Sequence, residues 1–121
     1  MNTRVRNKLI QLARMDESPI SYRRLINTTD LGLNLDIKHE KQLLGTILDE
    51  VSTEEHQAGR PLLSVLVQSK KNGQGDRFYK LCEQLGYGDW KDLKNDESFT
   101  EEHIRKCREF WQDEDNYKKY F

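Results

Sequence analysis

Gly59-Arg60-Pro61-Leu62-Leu63-Ser64-Val65-Leu66-Val67-Gln68 decides the fold class of this 121-residue chain. It is the one clear strand signal in a sequence otherwise built from helical spacings and charge. Gly59 and Pro61 interrupt what precedes it, and the unbroken apolar run that follows is short and rich in strand formers, as expected of a strand covered on both faces. Downstream, Asn72-Gly73-Gln74-Gly75 must turn, because asparagine and glycine adopt positive backbone angles at low cost.

Upstream, Val5, Leu9, Leu12 and Ala13 recur at helical spacing, which predicts a first helix from about Thr3 to Met15 that stops before Ser18-Pro19. Ile20-Ser21 is short and extended. Ser21 is a plausible N-cap for a helix of about two turns that buries Leu25 and Ile26. A turn through Gly32 leads to a long helix over Ile37 to His56, with Asp36 ahead of it and Ile37, Leu44, Ile47, Leu48 and Val51 on one face. After the glycine turn, Phe78, Leu81, Cys82 and Leu85 predict a helix ending at Gly86. Ser98 or Thr100 is expected to cap a last helix containing Ile104, Cys107, Phe110 and Trp111. The terminal Tyr117, Tyr120 and Phe121 should dock on the rest, since three exposed rings make a poor tail. The fold class is therefore α+β, mostly α, with a small two- or three-stranded sheet, and residues 1–121 are read as a single domain.

Hydrophobic residues make up 35% and charged residues 34% of the chain, which implies a small core and strongly two-faced helices. No apolar run is long enough for a transmembrane helix, and Met-Asn-Thr-Arg lacks the apolar stretch of a signal peptide, so a cytoplasmic protein is expected, with no membrane partner. Cys82 and Cys107 lack the paired spacing of a zinc site and read as buried free thiols. The net charge of −1 conceals an asymmetry: residues 1–30 carry +3, whereas 31–89 and 90–121 carry −2 each.

The order helix, short extended segment, helix, long helix, strand and glycine turn resembles a winged-helix domain. Pro19-Ile20-Ser21-Tyr22, the short helix after it and Arg60-Pro61-Leu62-Leu63-Ser64-Val65-Leu66-Val67 are similar to the DNA-binding half of alkyltransferase-like proteins, over about Pro19 to Val67. That resemblance implies a winged-helix-like fold and contact with nucleic acid. Alkyl transfer is not implied, because neither the Pro-Cys-His-Arg reactive motif nor a tryptophan replacing its cysteine is present. The Gly-Arg-Pro-Leu-Leu-Ser stretch is also similar in style to small uncharacterised bacterial proteins, a likeness that carries no activity.

No set of residues in the chain has the types and spacing that a specific reaction requires. Gln68-Ser69-Lys70, with Glu50 or Glu54 upstream, sketches a metal-dependent nuclease core but lacks the acidic residue such a strand needs near its lysine. His39, His56 and His103 are scattered, each beside carboxylates, and metal binding would require three ligands to converge. Ser64 has no nucleophile-elbow glycines. Asn72-Gly73-Gln74-Gly75 lacks the Gly-Lys-Ser/Thr ending of a nucleotide loop. Lys70, Lys71 and Arg77 flank that turn and would suit backbone phosphates, with Arg23 and Arg24 as a second contact. Arg60 is expected to act as a structural clamp on Glu50 or Glu54, or to meet an anionic ligand. The expectation is a non-catalytic, winged-helix-like nucleic-acid-binding module, a small regulator or mobile-element protein, without cofactor or metal. The alternative is a protein-interaction or inhibitory adaptor that uses the acidic long helix and the aromatic carboxy terminus.

Overall fold

The apolar spacing that begins at Val5 builds α1 (Thr3–Arg14), whose inner face buries Val5, Leu9, Ile10, Leu12 and Ala13. The Asn2 side chain caps it by accepting the Val5 N–H at 3.0 Å. A computed structural model describes residues 2–15, 19–68 and 74–121. Strand β1 (Ile20–Ser21) leads directly into α2 (Tyr22–Thr29), and the Ser21 hydroxyl accepts the Arg24 N–H as its spacing predicts. The long helix α3 (Lys38–Gln57) starts one residue later than expected; Ile37 occupies the cap position and makes no side-chain cap bond, so Asp36 does not serve.

The decisive segment is buried as expected, but its backbone differs. Leu63–Leu66 forms a 3₁₀ turn, and only Val67–Gln68 is strand β2. β2 pairs in parallel with β1, Ile20 against Val67 and Ser21 against Gln68, making a two-stranded sheet. With so short a partner strand, an extended 62–67 run would bury unpaired amides and carbonyls, whereas a 3₁₀ turn satisfies them locally. Side chains complete the accounting: Ser52 Oγ accepts the Ser64 N–H at 3.0 Å and donates to the Ser64 hydroxyl at 2.7 Å. The buried Gln74 amide donates to the Val65 carbonyl at 2.8 Å. The Gln74 side chain is thus an anchor for the core, and Asn72 and Gly73 of the expected turn lie outside the described residues.

Helix α4 (Asp76–Gln84) stops before Gly86, whose φ of 94° is the left-handed ending expected there. Helix α5 (Trp90–Asn95) was not legible in the sequence; Asp89 caps it with bonds from Lys91 N–H and Asp92 N–H. Helix α6 (Glu97–Gln112) is capped by Asp96 in place of Ser98 or Thr100. Asp113 then breaks the chain and caps α7 (Glu114–Tyr120). The described residues are thus mainly helical, 73% when the 3₁₀ turn is counted with the seven α-helices, with one small parallel sheet. One cluster of buried side chains joins α1, α2, α3, the 3₁₀ turn, α4 and α6. Two of the three terminal rings dock on it: Tyr117 and Tyr120 pack against the cluster and the Gln11 amide donates to the Tyr117 hydroxyl at 3.1 Å, whereas Phe121, expected to dock as well, stays exposed. Among the described residues, no helix is long and apolar enough to cross a membrane.

Candidate functional site

Because Leu44, Leu48 and Val51 turn one face of α3 inward, Lys38, Lys41 and Gln42 in its first turns turn outward. They form one wall of a cleft of about 420 Å³ that is closed by Tyr22 at the start of α2 and by Gly75, Asp76 and Arg77 at the start of α4. Asp76, the one carboxylate in this lining, is held by Lys94 at 2.6 Å. Among the described residues, no carboxylate forms an ion pair with Lys38 or Lys41. The cleft is therefore basic.

Arg77 is the most constrained of these cations. Its guanidinium lies across Gly45 of α3, where a Cβ would stand 2.7 Å from Nε and 2.8 Å from Cζ. Its Nε donates to Asp49 Oδ2 at 3.0 Å, and a terminal nitrogen donates to the Thr46 hydroxyl at 3.2 Å. A glycine inside a helix costs about 1 kcal/mol relative to alanine, and here the missing Cβ is what admits the guanidinium. Partial burial raises the Asp49 pKa above its ordinary value, even though the attraction and hydrogen bond of Arg77 pull it down.

The structure sorts the other expected site residues. Arg23 and Arg24 are exposed on α2, directly after Tyr22. Lys70 and Lys71 lie outside the described residues. Arg60 is a clamp, but its partner is Glu55 and not Glu50 or Glu54. Glu55 is fully buried and also holds Arg6 Nε at 2.6 Å. Arg6 in turn donates to the Tyr120 carbonyl at 2.7 Å, and the Arg60 guanidinium lies 5.3 Å from the centre of the Tyr120 ring. Helical phase explains the correction: 44, 48, 51, 52 and 55 share the buried face of α3, whereas Glu50 and Glu54 are exposed. Those two line a shallow groove with Asp49, and Gln68 is not part of it.

Two of the three scattered histidines come together. His56 and His103 both contact Tyr87 in a second cleft, while His39 is exposed near the start of α3. Among the described residues, no group of three or more histidine, cysteine or carboxylate side chains is placed to hold a metal. Both cysteines are buried, and burial pushes each thiol up to about 12, which removes them as nucleophiles at neutral pH. Sequence reasoning missed Lys38, Lys41 and the Gly45–Arg77 contact; a glycine inside the apolar spacing of α3 was the available signal. No protein-family model, curated protein or solved structure matches the chain significantly.

Proposed function

We propose that the chain is a non-catalytic, winged-helix-like nucleic-acid-binding module that contacts backbone phosphates from the basic cleft between α2, α3 and α4. The observation that carries this reading is the pair Lys38 and Lys41, which lack carboxylate partners among the described residues and sit beside Arg77, with exposed Arg23 and Arg24 on the neighbouring helix. Phosphate contacts need clustered cations from more than one element, and this cleft supplies them from α3 and α4, with Arg23 and Arg24 following its Tyr22 on α2. The element order α1, β1, α2, α3, 3₁₀ turn, β2 supports the winged-helix part of this reading, with Lys70 and Lys71 in the sequence after β2 as further contacts. The uncapped start of α3 adds the positive end of a helix dipole.

The test is binding to labelled duplex and single-stranded DNA across a salt series. A Lys38→Ala/Lys41→Ala variant and a Lys70→Ala/Lys71→Ala/Arg77→Ala variant are run alongside. Affinity is expected to fall linearly in log–log coordinates with salt, and removing two phosphate contacts should make that slope shallower by about 1.8. No binding at low salt overturns the proposal. A second reading, a protein-interaction adaptor, is favoured by Ile37 and Leu43, which are 38% and 49% exposed on and beside α3. The aromatic carboxy terminus supports it less, since two of its three rings pack on the chain's own core.

A further inference from the structure

Helix α4 ends in a motif that places one ring. Gly86 N–H donates to the Glu83 carbonyl at 3.1 Å and Tyr87 N–H to the Cys82 carbonyl at 3.0 Å, while Gly86 and Gly88 take φ values of 94° and 130°. Tyr87 is thereby held at the protein surface, 36% exposed, with its ring centre 5.4 Å from His56 and 5.2 Å from His103. Its hydroxyl lies 3.3 Å from His56 Nδ1. His103 Nδ1 lies 2.9 Å from the Phe99 carbonyl, which can only accept, so Nδ1 carries the proton and Nε2 keeps a lone pair. Burial lowers the His103 pKa, which keeps this imidazole neutral at neutral pH.

These three side chains line a cleft of about 570 Å³, a volume typical of small-molecule sites. Two cations share the lining, Arg60 and Lys106, and Lys106 is a half-exposed side chain 3.5 Å from Glu102. Arg60 is fixed by Glu55, and because that single carboxylate also serves Arg6, the cluster keeps a surplus positive charge. The two acids of the lining are engaged elsewhere: Glu109 pairs with Arg105 at 2.8 Å, and Asp113 caps α7 through the Asn116 N–H at 3.0 Å. The cleft thus offers one guanidinium fixed by Glu55, an exposed ammonium, a phenol–imidazole pair, one imidazole lone pair and the apolar edge of Phe110.

We propose that this cleft binds a small organic phosphate monoester, with Arg60 and Lys106 on the phosphate oxygens and Tyr87, His103 and Phe110 against the organic group. A bare carboxylate would bring the two cations one negative charge where the monoester brings nearly two, and inorganic phosphate would leave the aromatic wall unused. The site is independent of the proposed nucleic-acid interface, and loss of DNA binding would leave it standing.

The test is a titration of the full chain with phenyl phosphate, adenosine monophosphate, a 5′-phosphorylated oligonucleotide, inorganic phosphate and benzoate, followed by the imidazole nitrogen resonances. The two aromatic esters should shift His56 and His103 saturably with Kd below about 1 mM. Lys106→Ala, at an exposed position, should weaken them about tenfold, as expected for one charge-assisted hydrogen bond. Binding of the phosphorylated oligonucleotide alone, among the esters, would overturn the small-ligand assignment. Equal binding of benzoate or inorganic phosphate would overturn the monoester assignment, and the absence of any saturable shift at about 10 mM would sink the site.

Discussion

Replacing Gly45 with alanine should leave the fold intact and damage the basic cleft. The new methyl group would stand 2.7 Å from Arg77 Nε, and ordinary contact begins at 3.4 Å, so the guanidinium must withdraw by about 0.7 Å. A shift of that size takes the 3.0 Å bond to Asp49 out of hydrogen-bonding range. The helix gains about 0.5–1 kcal/mol from alanine over glycine. It loses a half-exposed ion pair worth about 0.2–1 kcal/mol. The two nearly cancel, and urea denaturation should place Gly45→Ala within about 1 kcal/mol of the parent. DNA affinity should nevertheless fall several-fold, with a salt slope shallower by about 0.9 for the lost phosphate contact. The cycle with Arg77→Ala isolates the cause: once Gly45→Ala is in place, removing Arg77 should change binding little more. If Gly45→Ala binds with parental affinity and slope while Arg77→Ala does not, the guanidinium's place across Gly45 has no bearing on binding. A stability loss above about 2 kcal/mol would instead show that Arg77 cannot yield, and the account of the glycine would be wrong.

The buried triad makes a contrasting case. Glu55→Gln leaves Arg6 and Arg60 without their shared carboxylate and should cost about 3–5 kcal/mol in urea denaturation, whereas Glu50→Gln and Glu54→Gln, at exposed positions, should stay within about 0.5 kcal/mol. His103 supplies a pH dependence: its folded pKa lies below the ordinary 6.5, so the unfolded chain takes up the proton first as pH falls. The stability it contributes above about 6.5 is lost as pH falls through the folded value, and His103→Gln should flatten that part of a stability–pH profile.

What the sequence made legible follows from how local each determinant is. Helices α1 and α2 rest on apolar spacing and a Ser21 cap, both contained within a few residues, and both formed as read. The Leu62-Val67 run declared its burial but not its backbone, because an unbroken apolar run has no period that separates strand from buried turn. The choice was made by partners far away in sequence: a two-residue β1, and Ser52 reaching Ser64. Arg60 shows the same division. Its pairing was legible from its chemistry, and its partner required the phase of α3, which the spacing of Leu44, Leu48 and Val51 already contained. The convergence of His56 and His103 had no sequence signal, since it depends on a turn at Gly86 and Gly88 that brings Tyr87 to both.

Helix α3 is what both clefts have in common, and its placement has to be specified more tightly than its apolar contacts alone can do. Its 20 residues span about 30 Å, with Lys38 and Lys41 near one end and His56 near the other. In a chain with only 35% hydrophobic residues, a stripe of leucine and valine tolerates small slides and rotations better than it resists them. Three polar contacts distributed along the helix remove that tolerance: Arg77 over Gly45 with Asp49, Ser52 to Ser64, and Glu55 to Arg6 and Arg60. Each ties α3 to a different element, namely α4, the 3₁₀ turn, and α1 with the segment after Gly59. A slide of one turn, about 5.4 Å, would break all three and leave a buried carboxylate and a buried guanidinium unpaired. The polar groups within this small core therefore fix the register of α3, and with it the direction in which the lysines at one end and the imidazole at the other face their clefts.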